Sequence, residues 1–158
     1  MDLYAENILD HYRHPRHKLP LPKEAPPPTG EPACRTGRDQ GGGVVIHHES
    51  NPACGDELTI RFGIKDDHIH NPSWDGTGCA ISQAAMSMLA EEFENISIDS
   101  AAALTPKQIF DLLGVPISPR RLKCALLGLH ALKNALHIHY GEPLQVWTQT
   151  VSGAVDEI

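Results

Sequence analysis

Between residues 58 and 65 the apolar side chains of Leu58, Ile60, Phe62 and Ile64 alternate strictly with Thr59, Arg61, Gly63 and Lys65. A period of two over eight residues is the signature of a strand with one face buried, so the chain must build a sheet and cover one side of it. Val44, Val45 and Ile46 begin a strand upstream, and Asp66-Asp67 supplies a turn downstream. A weaker third strand is predicted from His68 to about Trp74, where Pro72 suits an edge or a bulge because proline cannot donate to a ladder. Three strands in succession predict an antiparallel meander.

The rest of the chain has helical periodicity. Leu3, Tyr4, Ile8, Leu9 and Tyr12 predict an amphipathic helix over 2–13 that stops before Pro15. From Cys79 to about Glu94, a stripe of Ile81, Ala84, Ala85, Met88, Leu89 and Phe93 predicts a second helix. A short helix follows over 98–104. Thr105-Pro106 opens another that stops at Gly114, and Ser118-Pro119 opens the last, which runs toward Gly141. The tail beyond Pro143 alternates weakly, as a short strand or a disordered end would. This order predicts an α+β fold, a small three-stranded antiparallel sheet with helices packed on one face. At 158 residues the whole chain, 1–158, is expected to form a single domain. One segment departs from this: residues 18–43 hold six prolines between 20 and 32 and a Gly41-Gly42-Gly43 run, and read as a loop.

A net charge of −7 argues against a nucleic-acid partner, because such surfaces gather lysine and arginine. No run approaches the ~18 apolar residues needed to span a bilayer, and the first residues lack a signal-peptide core, so the expectation is a cytoplasmic protein with no membrane partner. Cysteines in that compartment stay reduced, which favours ligand or sulfur chemistry over disulfides.

Three of the four cysteines share a kind of setting. Cys79 follows Gly76-Thr77-Gly78 and opens a helix, where unpaired N–H groups and the positive dipole end favour thiolate. Cys54 lies in the turn Asn51-Pro52-Ala53-Cys54-Gly55-Asp56, and Cys124 lies in the first turns of the last helix. The intervals of 25 and 45 residues match neither a zinc finger nor a ferredoxin run, so any shared site must come from three loops meeting. Asp56 can then add an oxygen ligand, giving a three-sulfur, one-oxygen set that fits Zn²⁺ and holds an iron–sulfur cluster less tightly than four thiolates. Composition alone does not separate this from three inert buried cysteines; their positions at glycine turns and helix starts favour ligands. Cys34, in the proline-rich loop, reads as a free exposed thiol. The histidines at 11, 14 and 17, at 47 and 48, and at 68 and 70 read as solvated positions rather than ligands, and His130, His137 and His139 as decoration of the last helix.

Four blocks together resemble a known family: Leu3-Tyr4-Ala5-Glu6-Asn7-Ile8-Leu9-Asp10-His11-Tyr12-Arg13-His14-Pro15-Arg16, Asn51 to Asp56, Gly76-Thr77-Gly78-Cys79-Ala80-Ile81-Ser82 and Arg121-Leu122-Lys123-Cys124-Ala125. In this order, with three cysteines in register, they look like the signatures of the U-type iron–sulfur cluster assembly scaffolds, the family of IscU, SufU and the NifU N-terminal domain. The resemblance implies a protein that accepts sulfur from a cysteine desulfurase, builds a transient [2Fe–2S] cluster with iron, and passes it to apo iron–sulfur proteins. An iron donor and an electron donor are the further partners it suggests, and Zn²⁺ the metal of the resting site. By motif position it implies Cys54, Asp56, Cys79 and Cys124 as ligands, Cys124 and Cys54 as persulfide acceptors, and an auxiliary role for Lys123.

The chain also departs from the family pattern. Lys123 stands where Isc-type members carry histidine, as in Suf-type members, yet the Cys79–Cys124 interval is close to the Isc-type length. Leu113-Gly114-Val115-Pro116-Ile117 replaces the Isc-type chaperone-recognition segment. Three functions therefore stand at this stage: a scaffold that is not an enzyme, a zinc-dependent sulfurtransferase, and a structural zinc interaction domain.

Overall fold

A computed structural model describes residues 3–21, 44–51, 55–147 and 149–151. Helix α1 (Leu3–Arg13) precedes strands β1 (Val44–Ser50), β2 (Glu57–Lys65) and β3 (His68–Thr77). Helices α2 (Ala80–Glu92), α3 (Ile98–Ala102), α4 (Pro106–Leu113) and α5 (Leu122–Tyr140) follow, with a 3-10 turn over Pro119–Arg121 leading into α5. The sheet is an antiparallel meander in the order β1-β2-β3. The alternation in β2 holds for Leu58, Ile60, Phe62 and Ile64, which are buried, and for Arg61 and Lys65, which are exposed, but Thr59 on the other face is buried too, hydrogen-bonded to His48. α5 packs on β1 and β2, α2 packs on β3, and α1 and α4 lie against α2.

Pro72 falls on the edge strand β3, where the pairing slips between Arg61 and Gly63 of β2. The edge tolerates its missing N–H, and Asn71 at φ 51° absorbs the kink. β3 runs three residues past Trp74, and this extension carries the chain to the start of α2. α4 begins with the expected Thr105 cap, whose side chain accepts from Gln108 N–H, and the structure adds a reciprocal bond in which the Gln108 side chain accepts from Thr105 N–H. Both this helix and α5 end at glycine, Gly114 and Gly141.

Several expectations are corrected. In α1 the inward residues are Ile8 and His11, while Leu3 and Tyr12 are exposed. The reason is that α2 offers polar partners there: His11 Nδ1 and Ser87 Oγ are hydrogen-bonded at 2.7 Å, and Arg16 N–H donates to the same hydroxyl at 2.8 Å. Burial, and then the Arg16 charge, push the His11 pKa down against the pull of Glu91 and Asp10. Nor is α2 buried along one stripe, since every residue from Ser82 to Ala90 is buried. A helix enclosed on all sides must satisfy its polar groups internally, which Ser87 does through α1.

The histidines of β1 and α5 are corrected as well. His130 is 2% exposed; its Nδ1 is hydrogen-bonded to Thr150 Oγ1 at 2.7 Å, and its ring stacks on Trp147 at 4.0 Å. Val45, His47 and Glu49 share the inner face of β1, and Glu49 meets His47 Nε2 at 2.7 Å, Asn134 Nδ2 at 2.7 Å and His130 Nε2 at 3.5 Å. The tail forms neither a strand nor a loose end where it is described. Thr150 N–H donates to Val146 C=O at 3.3 Å in a helical turn that closes over α5.

This cluster makes stability pH-dependent. Burial alone would raise the Glu49 pKa, but the hydrogen bonds from His130, His47 and Asn134 outweigh it and hold the carboxyl far below its ordinary 4.5. A carboxyl depressed in the folded state contributes stability that is complete above about pH 4.5 and is lost as pH falls toward the folded value. Thermal melts should therefore show wild type losing stability steeply below pH 4.5. Glu49→Gln should start about 2 kcal/mol lower at pH 7, the scale of charge-assisted hydrogen bonds, and fall less steeply. Parallel curves for the two proteins would remove Glu49 from the account.

Candidate metal and cluster site

Register and connectivity bring three of the implied ligands together. β2 and β3 pair with Glu57 opposite Thr77, so the residues just outside the ladder, Asp56 and Gly78, face each other at its end. Cys79 follows directly as the N-cap of α2, in extended conformation at φ −72°, ψ 169°. Cys124, the third residue of α5, comes in from the helix that covers β1 and β2. One carboxylate oxygen of Asp56 and the sulfurs of Cys79 and Cys124 all lie within 4.8 Å of one another. Sulfurs around a tetrahedral zinc with ~2.3 Å bonds sit about 3.8 Å apart, so the set needs only a small contraction to close on an ion.

Two glycines make the approach possible. Gly55 holds φ +78°, which turns the chain into Asp56. At Gly78 a Cβ would stand 2.8 Å from Asp56 Cγ and 2.5 Å from Ser82 Oγ, so a side chain there would displace the carboxylate.

The site is enclosed on two sides and open on one. Asp56 and Cys124 are buried, and Cys79 is partly exposed. Ser82 Oγ donates to Cys79 C=O at 3.1 Å, securing the first turn of α2. Among the described residues, Asp56 Oδ2 is buried without a hydrogen-bond partner. A buried carboxylate oxygen left this way costs free energy that a bound cation would recover. Two thiols and a carboxylate with that orphaned oxygen suit Zn²⁺ or iron, the donor softness lying between a four-thiolate and an all-oxygen site.

Cys54 and Cys34 lie outside the described residues. Lys123 has its ammonium 5.9 Å from the centroid of the Trp147 ring, an association between the start of α5 and the tail that the sequence did not suggest. Asn51 is a further residue of the site. It is 1% exposed, and its side-chain Nδ2 is 3.9 Å from Cys124 Sγ. In the sequence Asn51 stands before Pro52 at a turn and opens the block that runs to Asp56, signals that speak of backbone and family pattern rather than of a contact with a thiol.

The structure is thus a small α+β domain with a carboxylate and two thiols gathered at the end of its meander, a donor set able to ligate a metal ion. Residues 3–144 match the NifU-like N terminal domain family, and the chain belongs to that family. It is similar to the iron sulfur cluster assembly protein 1, mitochondrial, of Schizosaccharomyces pombe, with 30% identity over 98% of this chain and 71% of that protein. It is also similar to the zinc-dependent sulfurtransferase SufU of Bacillus subtilis, with 26% identity over 85% of this chain and 89% of that protein. Among solved structures, a putative iron-sulfur cluster assembly scaffold protein for the SUF system from Fervidobacterium islandicum shares the fold. It aligns with a TM-score of 0.58 and 22% identity over 83% of this chain and 94% of that one.

Proposed function

We propose that this protein is an iron–sulfur cluster assembly scaffold that accepts sulfur from a cysteine desulfurase, assembles a [2Fe–2S] cluster on Cys54, Asp56, Cys79 and Cys124, and transfers it to apo-proteins. The observation that carries this reading is the convergence of Asp56, Cys79 and Cys124 at one partly open edge, with a buried carboxylate oxygen that has no hydrogen-bond partner among the described residues. Family membership supports it. Sulfur enters when the thiolate of Cys124 or Cys54 attacks the outer sulfur of the desulfurase persulfide. A new S–S bond forms as the old one breaks, and the desulfurase thiolate leaves. Turning each persulfide sulfur into sulfide takes two electrons, which an electron-donor protein supplies. The carboxylate is the weakest donor of the four and the one that yields when an acceptor offers a thiolate.

A second reading has its own support, since the Bacillus subtilis sulfurtransferase is matched over most of its length. In that reading Cys54, Asp56, Cys79 and Cys124 would hold Zn²⁺, and the accepting thiol would be released from it to take sulfur from the desulfurase. The metal supplies thiolate stabilisation; the protein supplies the enclosure that keeps Cys124 from bulk water.

Anaerobic incubation with a cysteine desulfurase, cysteine and Fe²⁺, followed by visible absorption and metal analysis, separates the two. Appearance of cluster absorption with about two irons and two sulfides per site is the expected result. One tightly held Zn²⁺ and no cluster would overturn the scaffold reading in favour of the sulfurtransferase.

A further inference from the structure

Asn51 occupies an unusual place. It is tied to the residues that lead into β2, because Gly55 N–H donates to Asn51 C=O at 2.8 Å and Asn51 N–H donates to Asp56 C=O at 2.8 Å. Those two bonds use backbone atoms alone, so they hold whatever side chain residue 51 carries. The side chain is directed across the site to α5, with Nδ2 3.9 Å from the buried sulfur of Cys124. An amide NH₂ has two donors, and a thiolate is an acceptor. The residue thus joins the two halves of the site, the loop that presents Asp56 and the helix that presents Cys124.

We propose that Asn51 is a positioning residue that donates an N–H···S hydrogen bond to Cys124, fixing the direction of that sulfur toward Asp56 and Cys79 and tempering it as a donor. Hydrogen bonds to ligand sulfurs withdraw charge from the metal–thiolate bond and orient the ligand, as outer partners do in metal sites generally. Buried on all sides, the amide has little room to swing away, so the sulfur is held at one place before any metal arrives. The consequence for metal binding rests on the function proposed above; the hydrogen bond itself does not.

The test has one arm for each. In the full-length, metal-free protein, the side-chain NH₂ resonances of Asn51 in a ¹⁵N–¹H correlation spectrum should move when Cys124 is changed to Ala or Ser, with the remainder of the spectrum in place. Unmoved Asn51 resonances in both variants would overturn the proposal. In the second arm Co²⁺ is the probe. Asn51→Asp keeps the volume of the side chain and removes the donor, and Asn51→Ala removes both. Each should weaken Co²⁺ binding about 10–100-fold and shift the sulfur-to-cobalt charge-transfer band to lower energy. A role in packing alone predicts a wild-type band for Asn51→Asp, and that outcome would likewise overturn the proposal. If the Asn51 resonances respond to Cys124 while the wild-type protein takes up no Co²⁺, the hydrogen bond stands and the metal reading of the site falls.

Discussion

Asp56→Ala is expected to keep a reconstituted cluster longer than wild type and to pass it more slowly to an apo-ferredoxin, whereas Cys79→Ser and Cys124→Ser are expected to lose it outright. The difference follows from donor chemistry: a carboxylate is a hard, weak ligand to iron and can depart, while each thiolate supplies a bond that no neighbour replaces. Loss of a thiolate should cost more than the 10–100-fold that outer-shell changes cost, so the cysteine variants should show no cluster band after desalting. The geometry adds a second expectation in the absence of metal. Since Asp56 is buried and its Oδ2 has no hydrogen-bond partner among the described residues, removing the carboxylate should stabilise the metal-free protein by about 1–3 kcal/mol. Thermal melts in chelator read this directly. Cluster loss from Asp56→Ala as fast as from Cys79→Ser would make the aspartate a holding ligand. A lifetime, transfer rate and melting temperature all equal to wild type would remove it from the site.

Trp74→Ala should have the largest effect on the fold. The indole is fully buried and lies opposite Ile60 in the sheet. Residues 16–19 are strung along it: Nε1–H donates to Arg16 C=O at 2.8 Å, Trp74 N–H to His17 C=O at 3.0 Å, and Leu19 N–H to Trp74 C=O at 2.9 Å. The Lys18 ammonium rests 5.1 Å from the ring centroid. Emptying this position should cost about 3–5 kcal/mol, transfer and cavity terms together. In a chain of this size that is a fall in Tm of about 6–20 °C. Trp74→Phe keeps most of the apolar volume and loses the indole donor to the part-buried Arg16 carbonyl, so it should fall by about 1 kcal/mol, the net worth of one hydrogen bond. A loss below about 1 kcal/mol for Trp74→Ala would contradict the burial described here. Because β3 continues from Trp74 to the start of α2 at Cys79, the alanine variant should also bind metal more weakly, which Co²⁺ titration would show.

Some of this protein follows from the order of its residues alone, because the forces involved act over a few positions. The period of two in β2 demands a buried face wherever the strand sits, and Thr105 and Pro106 open α4 through contacts made within one turn. Those features were legible without a structure, as were the helix ends at Gly114 and Gly141. The blocks around Cys54, Cys79 and Cys124 were legible as a family pattern, since each is a short local motif. What the linear order could not show is which side chains meet across the fold. Glu49 and Asn134 stand 85 residues apart, and the sequence reads His130 as a surface histidine because its partners, Glu49, Trp147 and Thr150, belong to β1 and the tail. Likewise His11 outranks Tyr12 for the inner face of α1 only because Ser87 waits on α2. At the site, the pairing of Glu57 with Thr77 decides that Asp56 meets Gly78 and Cys79, since a shift of one residue would turn each side chain to the opposite face. The packing of α5 over β1 and β2 then decides that Cys124 arrives there with Asn51 at its sulfur.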